Sequence, residues 1–226
     1  MKLIKLILII SVLSQFGCGF FGDKNPLDQN KVSVTDNNGY LKEGEQLPFY
    51  GPITKDGKDT LFYQVPKFSL IDQDSLDLGY ARFNERIFIV DFFFTTCSTI
   101  CPIMTGELVK LQSALYEKGL GEEVQFLSVT IDPKTDSPEV LRSYAENKGC
   151  NLNSWALGTG EMEYIDELSK EGFFLAVDRD AAYQDGIIHS SQVILVDENR
   201  HVRGSYDAVD ENEMKKLLQD LIILSE

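Results

Sequence analysis

The chain is poor in histidine, with two in 226 residues, and has only four cysteines. Any metal or redox chemistry therefore rests on a handful of side chains. Positive charge is also scarce: 21 basic against 36 acidic residues give a formal net charge of -15. With no basic cluster to interrupt that acidity, a phosphate backbone would be repelled, which excludes nucleic acid as a partner. No apolar run is long enough to span a bilayer as a mature helix. Internal repeats and low-complexity segments are absent. One ordinary domain plus a tail fits the length, and 43% hydrophobic residues can supply its core.

At the amino end, Lys2 and Lys5 precede the apolar stretch Leu6 to Leu13, the pattern of a signal-peptide core. Gln15-Phe16-Gly17-Cys18 follows and resembles the bacterial lipobox, although Gln15 stands where that pattern usually has Leu. Ordinary cleavage and a retained anchor are the other readings, and all three put the rest of the chain outside the cytoplasm. The expected organisation is a signal peptide at 1–17, a lipidated Cys18 with a polar tether at 18–46, and a domain at 47–226. With Cys18 assigned to lipid, Cys97, Cys101 and Cys150 remain, and three thiols cannot all pair within one chain.

Ile87 to Phe94 is a nearly continuous apolar run rich in β-branched and aromatic residues, as expected of a strand covered on both faces. Beyond it the pattern predicts helix 101–118, strand 124–131, helix 137–148, a strand near 154–157, helix 161–172, a hairpin of 190–196 with 201–205, and helix 210–224. Ahead of it, 60–65 and 67–71 read as short strands. This alternation gives an α/β fold with a mixed central sheet and helices on both faces, and the thiols at the end of the first core strand make the plan thioredoxin-like.

Those thiols carry the chemistry. Cys97 falls in the loop after the strand, and Cys101-Pro102 opens a helix whose unpaired N-H groups favour an anion, so at least one sulfur is expected to ionise more readily than a free cysteine. Such a site suits soft-metal binding or thiol redox chemistry. His189 lies just before the strand 192–196, where side chains often line sites, and two thiolates with one imidazole suit Cu(I) and admit Cu(II) with a further ligand. Zinc prefers a fourth ligand, for which Cys150 is the formal candidate, but that residue reads as a lone small side chain at a helix end. His201 reads as solvated. Asp132 and Asp136 read as a strand exit and helix start, with Asp136 or Ser137 as the cap.

Three ordered motifs resemble the Sco/SenC family: Phe92 to Pro102, Ser128 to Pro138, and Gly186 to Ser191 with its histidine. The family comprises copper-binding thioredoxin-like proteins of the bacterial envelope and mitochondrial inner membrane, and the similarity spans roughly 47–224. It implies copper held by Cys97, Cys101 and His189. It also implies a role at the binuclear copper centre of cytochrome c oxidase, by delivering copper, by reducing the target's cysteines, or both. The implied partners are the copper-bearing oxidase subunit and an envelope thiol reductase. The implied place is the periplasmic face of a membrane, held there by the lipid anchor. Two departures stand out. Ser98 and Thr99 replace the Pro-Asp common between the cysteines' flanks, and Ile188 replaces an Asp often found before the histidine. Both remove charge beside the metal and bear on Cu(II) affinity and redox tuning.

Metallochaperone is the leading function, with thiol-disulfide oxidoreductase, thiol peroxidase and copper or redox sensor as alternatives. Thioredoxin-type exchange normally uses Cys-x-x-Cys, and the extra residue here changes the sulfur geometry. Peroxidases of this fold place Thr and Pro where this chain has Phe94 and Val90. The lipobox reading makes a direct prediction: the mature protein begins at a lipidated Cys18 and sediments with membranes, and Cys18→Ser impairs its maturation. Mass spectrometry of the amino terminus checks this, an unmodified cysteine in an intact terminus being the contrary result.

Overall fold

A computed structural model describes residues 31–32, 47–56, 59–178 and 188–226. The expected signal peptide, Cys18 and nearly all of the tether lie outside the described residues, as does the side chain of His189.

The strands are β1 (Lys31–Val32), β2 (Phe49–Tyr50), β3 (Ile53–Asp56), β4 (Asp59–Phe62), β5 (Ser69–Asp72), β6 (Asp77–Gly79), β7 (Ile87–Phe93), β8 (Val124–Thr130), β9 (Trp155–Thr159), β10 (Val177–Asp178), β11 (Ile188–His189), β12 (Gln192–Val196) and β13 (Val202–Asp207). The helices are α1 (Cys101–Glu117), α2 (Pro138–Lys148), α3 (Met162–Glu167) and α4 (Glu211–Leu224), and a π-helical turn over Leu168–Gly172 prolongs α3. Among the described residues nine strands form one mixed sheet in the order β1-β2-β13-β12-β7-β8-β9-β5-β6. The α/β expectation holds, and so do the main elements to within a few residues. The expected strand at 60–65 overlaps β4, but its partner β3 and the short ladder of β10 with β11 were not legible, because they have no apolar alternation to announce them.

The centre of the sheet is parallel. β7 pairs with β8 from Ile87↔Val124 to Phe93↔Thr130, and β8 with β9 from Phe126↔Trp155 to Val129↔Gly158. Every residue of these three strands is buried, as required where both faces are covered. Both crossovers, through α1 and α2, step the same way across the sheet, and right-handed connections then put both helices on one face. Thr105 of α1 and Tyr144 of α2 touch there through their hydroxyls at 2.8 Å, and Tyr144 packs on Phe93. α4 joins them beside α1. The return from β9 to β12 covers the other face, where Phe173 packs on Phe92, and Phe83 on Phe68 and Phe88. Burying each such ring contributes about 1.5–3 kcal/mol.

Local chemistry sets the ends of α2. Ser137 is the N-cap, its Oγ accepting from Val140 N-H at 3.4 Å; Pro138 occupies the first turn, and Gly149 closes the helix at φ 80°.

The carboxyl-terminal hairpin contains the first correction. Asp197 accepts the amides of Asn199 and His201 across the turn, and its other oxygen takes Arg203 Nη1 at 2.8 Å. Arg203 also donates to the Leu47 and Pro48 carbonyls and lies 4.1 Å from the centre of the Phe49 ring, which stacks on Phe62. His201 is not solvated. Its side chain is 19% exposed, set edge-on to Phe49 and Phe62, with Nδ1 3.4 Å from Asp197. The apparently polar turn is thus the clasp that fastens residues 47–50 to the sheet. Replacing Arg203 with Leu strands Asp197 as a buried charge and should lower stability by about 3 kcal/mol or more, read from the urea midpoint.

Candidate metal centre

The site lies where β7 ends. Strand pairing stops at Phe93, and the chain then turns sharply: Cys97 N-H donates to the Phe94 carbonyl at 3.3 Å, making Phe94 to Cys97 a four-residue turn. α1 begins four residues after Cys97. Ile100 is its N-cap residue and offers no side-chain acceptor, while Pro102 sits in the first turn.

Cys97 and Cys101 are brought together here as unbridged thiols, 6% and 0% exposed. The Cys101 amide points at Cys97 Sγ at 3.4 Å, and Thr99 Oγ1 lies 3.6 Å from the same sulfur. The helix N-terminus therefore serves Cys97. Cys101 departs from the expectation of easy ionisation: burial pushes its thiol well above the ordinary range, with only a partial counter-effect from the Phe94 backbone. A dipole of a few tenths of a charge does not offset removal of the sulfur from water. A metal ion that displaces the proton would supply the missing compensation.

His189 is reached from the other side. β12 runs antiparallel to β7 with Ile194 opposite Val90, so the chain enters β12 from the end of the sheet that carries the cysteine loop. The backbone of His189 pairs with Val177 just before that entry. Among the described side chains, which exclude its imidazole, no cluster of three or more His, Cys, Asp or Glu forms a metal-holding group. The two sulfurs fit a soft metal in type and placement.

Cys150 stands apart, half-buried after α2, and burial raises its thiol to about 12. It is nevertheless nearer the sheet centre than its place in the chain suggests, because Tyr144 and Asp91 both lie within electrostatic reach of it.

Two acidic residues matter here in ways the residue pattern did not show. Asp91 is buried in β7, where Ser128 Oγ donates to it at 2.6 Å and Trp155 Nε1 donates to Ser128 at 2.9 Å. Burial lifts its carboxyl to about 7, the Ser128 bond and a backbone amide pulling partly back. The available signal was a lone charge inside an otherwise apolar strand. Asp136 is the second. It is not the cap of α2, a role Ser137 fills, but a fully buried acceptor for Thr95 and Thr130.

The comparisons with known proteins bear on the family and the fold. The SCO1/SenC family model matches residues 58–222. A SCO1/SenC family lipoprotein from Bacillus anthracis superposes with a TM-score of 0.67 at 30% identity, over 73% of this chain and 96% of its own. BsSco, a member of the Sco family of cytochrome c oxidase assembly proteins in which a disulfide switch was identified, superposes with a TM-score of 0.66 at 27% identity, over 80% and 98%. Bradyrhizobium japonicum ScoI, solved with copper bound, has a TM-score of 0.60 over 72% and 99% and, at 16% identity, shares the fold alone. No helix among the described residues is long and apolar enough to cross a membrane.

Asp91 generates a pH prediction. Its folded-state value lies above the usual carboxylate value near 4, so the native state holds the proton more tightly than the unfolded chain. The resulting stability is complete below pH ~4 and is lost as pH rises to about 7, a change on the order of 4 kcal/mol. Asp91→Asn should flatten this dependence, as read from urea midpoints at pH 5 and 8.

Proposed function

The chain belongs to the SCO1/SenC family, and from that premise we propose that it is a copper-binding envelope protein serving the binuclear copper centre of cytochrome c oxidase. The observation that carries this reading is the pair of buried, unbridged thiols at the start of α1, with the Cys101 amide 3.4 Å from Cys97 Sγ. Cys97 and Cys101 supply two thiolates and His189 an imidazole, a soft set that takes Cu(I) and admits Cu(II) with one more ligand. Copper is cargo in this scheme. That BsSco is a member of the Sco family of cytochrome c oxidase assembly proteins supports it.

Residues 1–17 act as the signal peptide, lipidated Cys18 anchors the chain, 18–46 form the tether, and the domain faces the periplasm. That the Bacillus anthracis relative is a lipoprotein supports this placement. The target is the copper-bearing subunit of the oxidase.

A second reading has its own support. Two adjacent thiols can reduce the target's cysteines, leaving a Cys97–Cys101 disulfide that an envelope thiol reductase must reopen, and BsSco has a disulfide switch. The exposed Ser98 and Thr99 put neutral hydroxyls where the family resemblance implies a carboxylate, which favours Cu(I) over Cu(II) at this site.

Copper titration of the reduced protein, with complementation of oxidase activity, separates the two. Under copper delivery, His189→Ala weakens copper binding at least about tenfold and impairs oxidase assembly while the disulfide still forms and reduces. Cys97→Ser and Cys101→Ser abolish both binding and assembly, and the oxidised protein does not load until reduced. If His189→Ala binds copper like the parent and assembles the oxidase fully while the cysteine variants fail, thiol reduction is the better account.

A further inference from the structure

Among the described residues, Asp136 is a fully buried carboxylate at the cysteine end of the sheet that neither metal binding nor helix capping uses. It is 0% exposed and forms no ion pair among the described residues. Its donors are all neutral: Oδ2 takes Thr95 N-H at 3.1 Å and the Thr130 hydroxyl, and Oδ1 takes the Thr95 hydroxyl. Thr130 Oγ1 in turn accepts Asp132 N-H at 3.0 Å, and Ile131 N-H donates to Phe93 O at 2.8 Å, so the loop after β8 is stitched to the loop after β7.

The position of Thr95 gives this network its meaning. Thr95 is the second residue of the turn from Phe94 to Cys97, and both its amide and its hydroxyl are held by one carboxylate 41 residues away. With those two bonds made, the turn cannot rotate about its first corner, and Cys97 Sγ is kept on the Cys101 amide. A neutral side chain could tie two loops together at a lower desolvation cost than a carboxylate. A carboxyl group offers two acceptor oxygens, so one side chain takes all three bonds, which suits a corner that must not drift.

We propose that Asp136 is a positioning residue for the thiol pair, acting through Thr95 to hold Cys97 at the distance and orientation from Cys101 that pairing or metal capture needs. The inference rests on the reading of Cys97 and Cys101 as the functional pair, and does not require that their cargo be copper. Its chemical consequence is a high effective concentration of one sulfur for the other.

That quantity is measurable without metal. In a glutathione buffer the reduced protein and glutathione disulfide exchange to give the Cys97–Cys101 disulfide and two glutathione thiols, two electrons passing from the protein to glutathione disulfide. The equilibrium constant reports the effective concentration directly. The variants are Thr95→Val, which removes the hydroxyl and keeps the shape; Thr95→Ser, which restores it; Asp136→Asn; and Ser137→Ala, which removes the α2 cap next door without touching the turn. Thr95→Val should lower the constant about tenfold and Asp136→Asn by more, Thr95→Ser should match the parent, and Ser137→Ala should match it despite a lower melting temperature.

Parent-like constants for Thr95→Val and a folded Asp136→Asn overturn the proposal. So does an equal shift in Ser137→Ala, which would mean that loss of stability alone moves the thiols. Should Asp136→Asn not fold, Thr95→Val against Thr95→Ser decides the question. Copper titration of the parent runs alongside: no binding there overturns the copper reading and leaves the glutathione result to decide this one.

Discussion

Parallel pairing of β7 with β8 is the constraint on which the rest of the site depends. Two parallel neighbours must end on the same side of the sheet, so the loop that leaves Phe93 and the loop that leaves Thr130 lie against each other. One carries Cys97 and the start of α1; the other carries Asp136 and the start of α2. The right-handed crossovers then stack both helices on one face, where Tyr144 reaches Thr105 and covers Phe93. The antiparallel return of β12 brings a third chain segment, with His189, to the same end of the sheet.

The interior that results is hostile to charge. Burial keeps the Cys101 proton in place and holds Asp91 partly protonated near neutrality, although Ser128 donates to that carboxylate. A buried Cys101 that holds its proton, beside a Cys97 that receives the helix amide, suits a soft cation, since the cation offsets the cost of ionising the buried sulfur. The exposed chain neighbours of Cys97, Thr96, Ser98 and Thr99, carry no charge, although the chain as a whole carries -15.

Residue patterns read one element at a time explain what was legible. The apolar runs of β7 and β8, the Ser-Pro start of α2 and the Cys-Pro start of α1 are local signals, and each element formed where its signal lay. His201 and Asp136 were misread for one shared reason. In sequence each sits among turn-forming polar residues, and a turn is by default solvated or capped. In space, His201 meets Phe49 and Phe62, and Asp136 meets Thr95, partners that are 139 to 152 and 41 residues distant.

By itself the sequence determined the class of fold, the two sulfurs and their place at a strand-to-helix junction, because periodicity, proline and cysteine spacing act over a few residues. Only the tertiary structure decided which sulfur receives the helix amide, which carboxyl group burial shifts upward and which one grips the cysteine turn. Those properties depend on burial and on hydrogen-bond partners brought in from other strands, and neither exists until the sheet has closed around them.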